Sequence, residues 1–360
     1  MAASAGGPDQ HLDARVHRSY NVLVVAVFLS YMALGVGLYI WRGAYFTPDR
    51  WMLLLFVGAV VLGQAKAFLR DWVPFVLLAF GYEFMRGVAY KLVEAQDRDV
   101  HAQSLIDFDR ALFGGTLPTH WLQDKLYVAG TVHWYDYVAL LFYSLHFVFP
   151  LVFAFMLWIR RKDRFWQFSL TFLVMTYAAF IFFLFFPAAP PWLAEDWGLV
   201  GNVEFPFSQT GKALLPERYD NFNMVNIWSK ASGNPVAAFP SLHAGFPWLV
   251  LLYAVKFYGR RVLVFLSYNL VLWFSIVYAG HHWVVDILGG MAWATLCFIV
   301  VQYAWPYIVR GVRIPVPRPI RTAAGAVARP IAFVTAPVGR AGSRLRATAV
   351  SPFQRRASRS

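Results

Sequence analysis

Along most of this chain apolar residues do not alternate with polar ones. They run on, some twenty at a time, between short polar breaks. Half-buried strands read with period two, and water-facing helices carry a single apolar stripe. Unbroken apolar runs of about 20 residues instead have the length of a helix that crosses a bilayer. Eight spans are predicted, at 20–41, 51–69, 72–92, 134–158, 165–186, 239–258, 262–278 and 283–303. The second is the weakest, being interrupted by Gln64 and Lys66. Tryptophan or tyrosine stands at many of the ends, as in interfacial aromatic belts. The expected fold class is all-α, a polytopic membrane helix bundle of about eight transmembrane helices. Residues 1–19 form a polar N-terminus, and no small-residue cleavage site follows the first run, so that run reads as a retained span.

Composition sharpens this picture. The chain is 59% hydrophobic and only 14% charged, against about 25% charged residues in soluble domains. Cys297 is the single cysteine, which excludes an internal disulfide and a cysteine metal cluster. The net charge of +13 suggests nucleic acid until its placement is considered. With the N-terminus inside, basic residues collect on the inner side, at Arg15, Arg18, Lys66, Arg70, 160–164, Lys256, Arg260, Arg261 and the tail. The acids collect on the outer side, at Asp97, Asp99, Asp107, Asp109, Asp124, Glu195, Asp196 and Glu204. The positive-inside rule then puts both termini in the cytoplasm of a plasma-membrane protein, and no nucleic-acid partner is expected.

Four regions follow: the N-terminus 1–19, membrane helices with an outer interfacial segment over 20–133, a membrane core over 134–305, and a basic tail over 306–360. The outer stretch 93–133 holds an amphipathic piece at 105–113, suited to the interface. The outer stretch 187–238 is too long to be structureless, and short helices or a lid are expected there. The tail has eleven arginines and no acid. It reads as disordered and attracted to anionic inner-leaflet lipid.

Two stretches carry candidate chemistry. In Tyr278-Ala-Gly-His-His-Trp-Val-Val-Asp286, His282 and Asp286 are four apart, one turn on a single helix face. A carboxylate there can hold one imidazole nitrogen and leave the other free. In Phe239-Pro-Ser-Leu-His-Ala244, Pro240, Ser241 and His243 open another apolar helix. Proline suits a first helical turn, whose free N–H groups attract anions. Both histidines lie at the predicted outer face. A phosphate also needs a cation. Arg86 lies inside the third span, with Glu83 one turn before it, and Lys91 is nearer the surface. Ionisable groups within a span face the protein interior, so Arg86 ranks first and Lys91 second. Bland readings stand beside these. Ser241 also fits a simple helix cap, Glu83 with Arg86 a structural ion pair, Asp136 an interfacial position, and His146 a bonded interior residue or a substrate contact. His281 points off the face and reads as structural.

Pro240-Ser-Leu-His243 resembles the Pro-Ser-x-His signature of the type-2 phosphatidic acid phosphatase superfamily. His282-Trp-Val-Val-Asp286 is similar to the His-x-x-x-Asp end of its last signature. The resemblance covers roughly residues 134–303 and implies a six-helix-type phosphatase core. The Ser-Arg that opens the last signature corresponds to Ser275 and Ile276, and Lys91 with Arg98 has only the spacing of the first signature. Pro187-Ala-Ala-Pro-Pro-Trp192 looks like the branch containing inositol phosphorylceramide synthases. The resemblance implies a metal-independent enzyme without a cofactor, in which His282 is the nucleophile, Asp286 orients it, and His243 is the general acid and base. Ser241, Gly280, Arg86 and Lys91 would meet the phosphate.

The expected activity is that of a membrane lipid phosphatase or phosphotransferase on a lipid phosphate, lipid pyrophosphate or phosphoinositide at the extracytoplasmic face, through phosphohistidine. The alternative is head-group transfer to a lipid alcohol, as in an inositol phosphorylceramide synthase. A proton-coupled transporter or flippase is the non-enzyme rival. It calls for two related halves with broken helices, and no internal repeat is seen.

Overall fold

A computed structural model describes residues 48–96, 98–214 and 233–311. The first predicted span, the N-terminus, residues 215–232 and the tail from 312 lie outside the described residues. Twelve α-helices make up nearly all the described regular structure, with a 3-10 turn at Arg260–Phe265. They are α1 (Pro48–Val61), α2 (Ala65–Ala95), α3 (Gln103–Leu112), α4 (Pro118–Leu126), α5 (Trp134–Leu145), α6 (Val148–Arg160), α7 (Lys162–Phe185), α8 (Pro191–Asp196), α9 (Pro206–Leu214), α10 (Leu242–Tyr258), α11 (Leu266–Tyr278) and α12 (Val284–Arg310). Among the described residues three stretches are long and apolar enough to cross a membrane: Lys162–Phe185, Arg260–Tyr278 and Val284–Arg310. The bent pair α5 and α6 makes a fourth if it counts as one span. Large apolar side chains such as Leu77, Ile181, Leu270 and Leu288 face outward. That suits lipid rather than water as the surrounding solvent, because lipid tails are as apolar as the side chains.

Two predicted boundaries move. The second and third spans were expected to part at residues 70–71, yet α2 runs unbroken through Arg70 and Asp71. The break falls earlier, where Gly63 takes φ +69° ahead of Gln64. Charge at 70–71 does not end the helix because Asp71 is buried and fully engaged. It accepts from Arg70 Nε at 2.8 Å, Lys162 Nζ at 3.0 Å and Trp158 Nε1 at 2.9 Å. The fourth predicted span is two helices bent by 50°. At the bend His146 turns its Nδ1 back onto the Tyr143 carbonyl at 2.5 Å, and that carbonyl also accepts from the His146 backbone N–H at 3.2 Å, so one residue closes the end of α5 twice.

The described residues fall into two compact units, one up to Thr295 and one from Leu296. In that smaller unit the described residues continue α12, with Leu296, Ile299, Val300 and Tyr303 outward. In the larger unit α11 packs chiefly on α5, and α7 on α2 and α6. The buried residues Ala244, Leu272, Ile276, Val277 and Ile287 join α10, α11 and α12 in one apolar cluster.

The stretch 187–238, expected to hold short helices, has α8 and α9 over its described part, and the amphipathic piece expected at 105–113 falls in α3, followed by α4. A second cluster lies beneath them, in which Leu105, Ile106, Leu117, Ala188, Ala194 and Ala238 surround Trp283 and Val285. Backbone bonds tie three separate segments there. Ala189 N reaches His101 O at 2.9 Å, Ala188 N reaches Val236 O at 2.7 Å, and Ala238 N reaches Ala188 O at 3.1 Å. The Pro187–Trp192 segment therefore links the entrance of α10 to that of α12, and Trp283 Nε1 donates to Ala189 O at 2.8 Å.

Candidate active site

Two helix entrances converge. At the first, the helix starts at Leu242, not at Pro240. Pro240 lies ahead of the cap on a cis peptide bond, and Ser241 is the N-cap, its hydroxyl accepting from Ala244 N at 3.3 Å. His243 is thereby fixed in the first turn. At the second, α11 ends at Tyr278 and Gly280 takes φ +70°, a conformation open to glycine at little cost. A Cβ there would stand 2.4 Å from Val203 Cγ1. The turn brings His281 N and His282 N back to the Ile276 carbonyl at 3.0 and 3.2 Å. His282 thus precedes α12, which begins at Val284, instead of sharing a helix face with Asp286. The four-residue spacing still brings the two together, because Asp286 is in the first turn and reaches back.

The entrances meet because glycine lines the crossing. An added Cβ on Gly290 would lie 2.1 Å from the Ser241 carbonyl oxygen, and one on Gly245 would lie 3.2 Å from Gly290 O. Ser241 N donates to Asp286 O at 3.0 Å, a direct backbone bond between the two helix starts.

That approach produces a relay. His282 Nδ1 lies 3.1 Å from Asp286 Oδ2, and His282 Nε2 lies 3.0 Å from His243 Nδ1. A carboxylate only accepts, so Nδ1 of His282 carries the proton and Nε2 presents a lone pair, toward which His243 donates. His282 is 4% exposed and Asp286 is fully buried. Asp286 Oδ2 also accepts from Trp283 N at 2.9 Å. Asp109 of α3 takes the next two amides, Val284 N and Val285 N, each at 2.9 Å. Protein carboxylates therefore occupy the entrance amides of α12.

A cavity of about 160 Å³ opens beside the relay. His243, His282, His146, His281, Arg86 and Asn234 give it a polar wall, and Tyr82, Trp192, Phe183 and Leu242 complete much of the rest. Arg86 is thus brought to the histidines from a helix remote in sequence. Ile276, where the resembling signature has arginine, is buried in the apolar cluster instead. Lys91 is exposed and does not line the cavity. Ser241 and Gly280 do not line it either. Both are buried, one as a cap and one as a turn. The side chain of Glu83 lies outside the described residues.

Three residues differ from their sequence reading. Asp136 is buried rather than interfacial, accepting from Tyr278 Oη at 2.7 Å and His133 N at 2.8 Å. His281 lines the cavity and packs against both Tyr143 and Phe207, at centroid distances of 5.1 and 5.5 Å, in a cluster where those two rings also touch. Asp109, read as one of several outer acids, is 1% exposed. Burial pushes its carboxyl up to about 6, the Val284 and Val285 amides pull the other way, and the Asp286 charge adds to the rise. Its spacing from Leu105 and Ile106 marks it as facing inward with them, the one signal in the sequence that could have set it apart.

The description "PAP2 superfamily" matches residues 103–301, more than half of the chain. Phosphoinositol dihydroceramide synthase of Bacteroides thetaiotaomicron is 27% identical over 291 residues, covering 78% of this chain and 90% of that protein. The inositol phosphorylceramide synthase catalytic subunit of Schizosaccharomyces pombe is 30% identical over 162 residues, 44% of this chain and 38% of its own. The Saccharomyces cerevisiae subunit of the same name is 33% identical over 122 residues, 33% of this chain and 29% of its own. No solved structure matches the chain. The matched region begins at α3 and takes in both helix entrances and the cavity lining other than Tyr82 and Arg86 of α2: the chain belongs to the PAP2 superfamily.

Proposed function

We propose that this protein is a lipid head-group transferase, moving a phosphorylated polyol such as phosphoinositol from a phospholipid donor to a lipid alcohol. The observation that carries it is the relay from Asp286 through His282 to His243 beside a cavity that also holds Arg86. The names of the relatives, which are synthases of inositol-bearing sphingolipids, favour transfer to an alcohol over release to water.

The chemistry runs in two halves. Donor phosphorus enters between His282 and His243, taking the place of their hydrogen bond. The His282 Nε2 lone pair attacks phosphorus, the bond to the leaving lipid oxygen breaks, and protonated His243 gives that oxygen its proton. Asp286 holds the imidazole tautomer and offsets the charge it gains. The acceptor hydroxyl then gives its proton to His243 and attacks phosphorus. The N–P bond breaks, and the head group leaves on its new lipid. Arg86 faces the phosphoryl oxygens throughout, since such transfers depend mainly on positioning and charge stabilisation. Asn234 and His146 on the cavity wall suit head-group hydroxyls. The distribution of basic residues supports an extracytoplasmic site in the plasma membrane with both termini inside.

The test is purified full-length protein in detergent with an inositol phospholipid labelled in the head group, with and without a ceramide-type alcohol. A labelled phosphodiester lipid formed only with the alcohol is the expected product. Free inositol phosphate as the sole product, acceptor or not, would make the protein a hydrolase of the donor phosphodiester instead.

A further inference from the structure

One end of α12 is held by two carboxylates from different parts of the chain. An isolated helix leaves its first four amides without partners. Here Asp286 Oδ2 takes Trp283 N, and Asp109 takes Val284 N and Val285 N with one oxygen each. Asp109 comes from α3, about 175 residues earlier, and its carboxylate is buried against the apolar cluster around Trp283. Without it Asp286 would be the only acid at this entrance, with three amides to serve and His282 to orient. A carboxylate that swings onto Val284 or Val285 leaves His282 Nδ1 without its acceptor. Asp286 Oδ1 has no hydrogen-bond partner among the described residues, so nothing on that side restrains such a swing.

We propose that Asp109 is a positioning residue for the triad. By bonding the Val284 and Val285 amides it keeps Asp286 on His282, and it places a second carboxylate behind Asp286. The inference rests on the functional reading above for the role of His282, and on hydrogen bonds alone for the geometry. The groups bearing on Asp109 are the two α12 amides and the Asp286 charge, within an otherwise apolar cluster. Family resemblance assigns it no role, and it touches neither cavity nor substrate.

The experiment compares full-length wild type, Asp109→Asn, Asp109→Glu and Asp107→Asn. Asp107 lies on the same helix but is exposed, so its variant controls for loss of one surface charge. Head-group transfer is measured against pH. In Asp109→Asn, kcat falls about tenfold while the donor KM stays within about twofold, and the acidic limb moves to lower pH by about half a unit, as expected when a nearby negative charge no longer favours imidazolium. Asp109→Glu keeps the acidic limb but loses kcat, because the longer side chain displaces the carboxylate. Asp107→Asn behaves as wild type. Carbethoxylation of His282, followed by mass spectrometry over the same pH range, reads its ionisation without turnover. An unmoved limb and unmoved carbethoxylation profile in folded Asp109→Asn would overturn the proposal. Should that variant not fold, wild-type kcat in Asp109→Glu would do the same. A carbethoxylation profile that shifts between wild type and Asp109→Asn, with no transfer by the wild type, would remove the functional reading and leave the role of Asp109 standing.

Discussion

Two buried aspartates at opposite ends of α7 show what separates a structural knot from a site. Asp71 meets Lys162 where α7 begins, whereas the Pro187–Trp192 segment that follows α7 holds Trp283 and the entrance of α12. At 1.5 Å per residue the 24 residues of α7 set these places about 36 Å apart. Asp71 is saturated, since both oxygens are taken, by two cations and an indole. Asp286 is not. One oxygen serves His282 and an amide, and the other has no partner among the described residues. The partners of Asp71 are a guanidinium, an ammonium and an indole. The partner of Asp286 is an imidazole, which can give its proton up. The first arrangement holds helices together. The second keeps a proton movable beside a cavity.

Substitutions at the two knots should therefore separate activity from stability. The largest effect belongs to His282→Ala. Transfer should fall to background and base-stable labelling of the protein by donor should vanish, with the melting temperature nearly unchanged. His243→Ala should cost roughly 10²–10⁴-fold in kcat, the usual worth of a general acid or base. Residual labelling in that variant would sharpen the proposed assignment of His282, and not His243, as the nucleophile.

Gly290→Ala comes next. Its Cβ must push the Ser241 carbonyl away, which widens the crossing that brings His243 to His282. Overpacking of this kind costs about 1–3 kcal/mol. Activity measured well below the melting temperature should drop at least tenfold. Full activity would break the link drawn here between the glycine crossing and the relay.

Asp71→Asn should do the reverse, lowering stability by about 1–2 kcal/mol through weakened hydrogen bonds. The loss stays small because Arg70 and Lys162 are partly exposed and regain water. Turnover should be unchanged, and a fall in kcat at constant stability would break the comparison.

The smallest effect is a slope. Asp109 is held up near 6 in the folded protein, against about 3.9 unfolded. The native state then binds more protons between about pH 4 and 6, and stability falls as pH rises through that window. Thermal melting across this range should show the fall in wild type and a flatter profile in Asp109→Asn. The gap between the two should narrow toward pH 6.

The helical membrane bundle was legible because lipid imposes a simple rule: a span must be a helix and mostly apolar, and twenty-residue runs satisfy it visibly. Local spacing also sufficed to pair His282 with Asp286 and to place Ser241 as a possible cap. Exact boundaries were less legible. The Arg70–Asp71 pair looked like a loop until Lys162 and Trp158, ninety residues on, supplied its partners. The bend at His146 depends on a side chain that bonds its own helix end, in a run whose composition alone reads as one span.

By itself, then, the sequence determined the class of fold, the helix entrances, and the residue types able to pass a phosphoryl group. Those follow from hydrophobicity and from spacings within a few residues, which act along the chain. Only the tertiary structure decided that His243 lies against His282, that Arg86 enters their cavity while Lys91 stays outside, and that Asp109 closes the entrance of α12. Each of these is a contact between segments tens to hundreds of residues apart, set by which side chains allow two backbones to touch. Gly245 and Gly290 allow that contact at the crossing of α10 and α12, and no local pattern announces that they face each other.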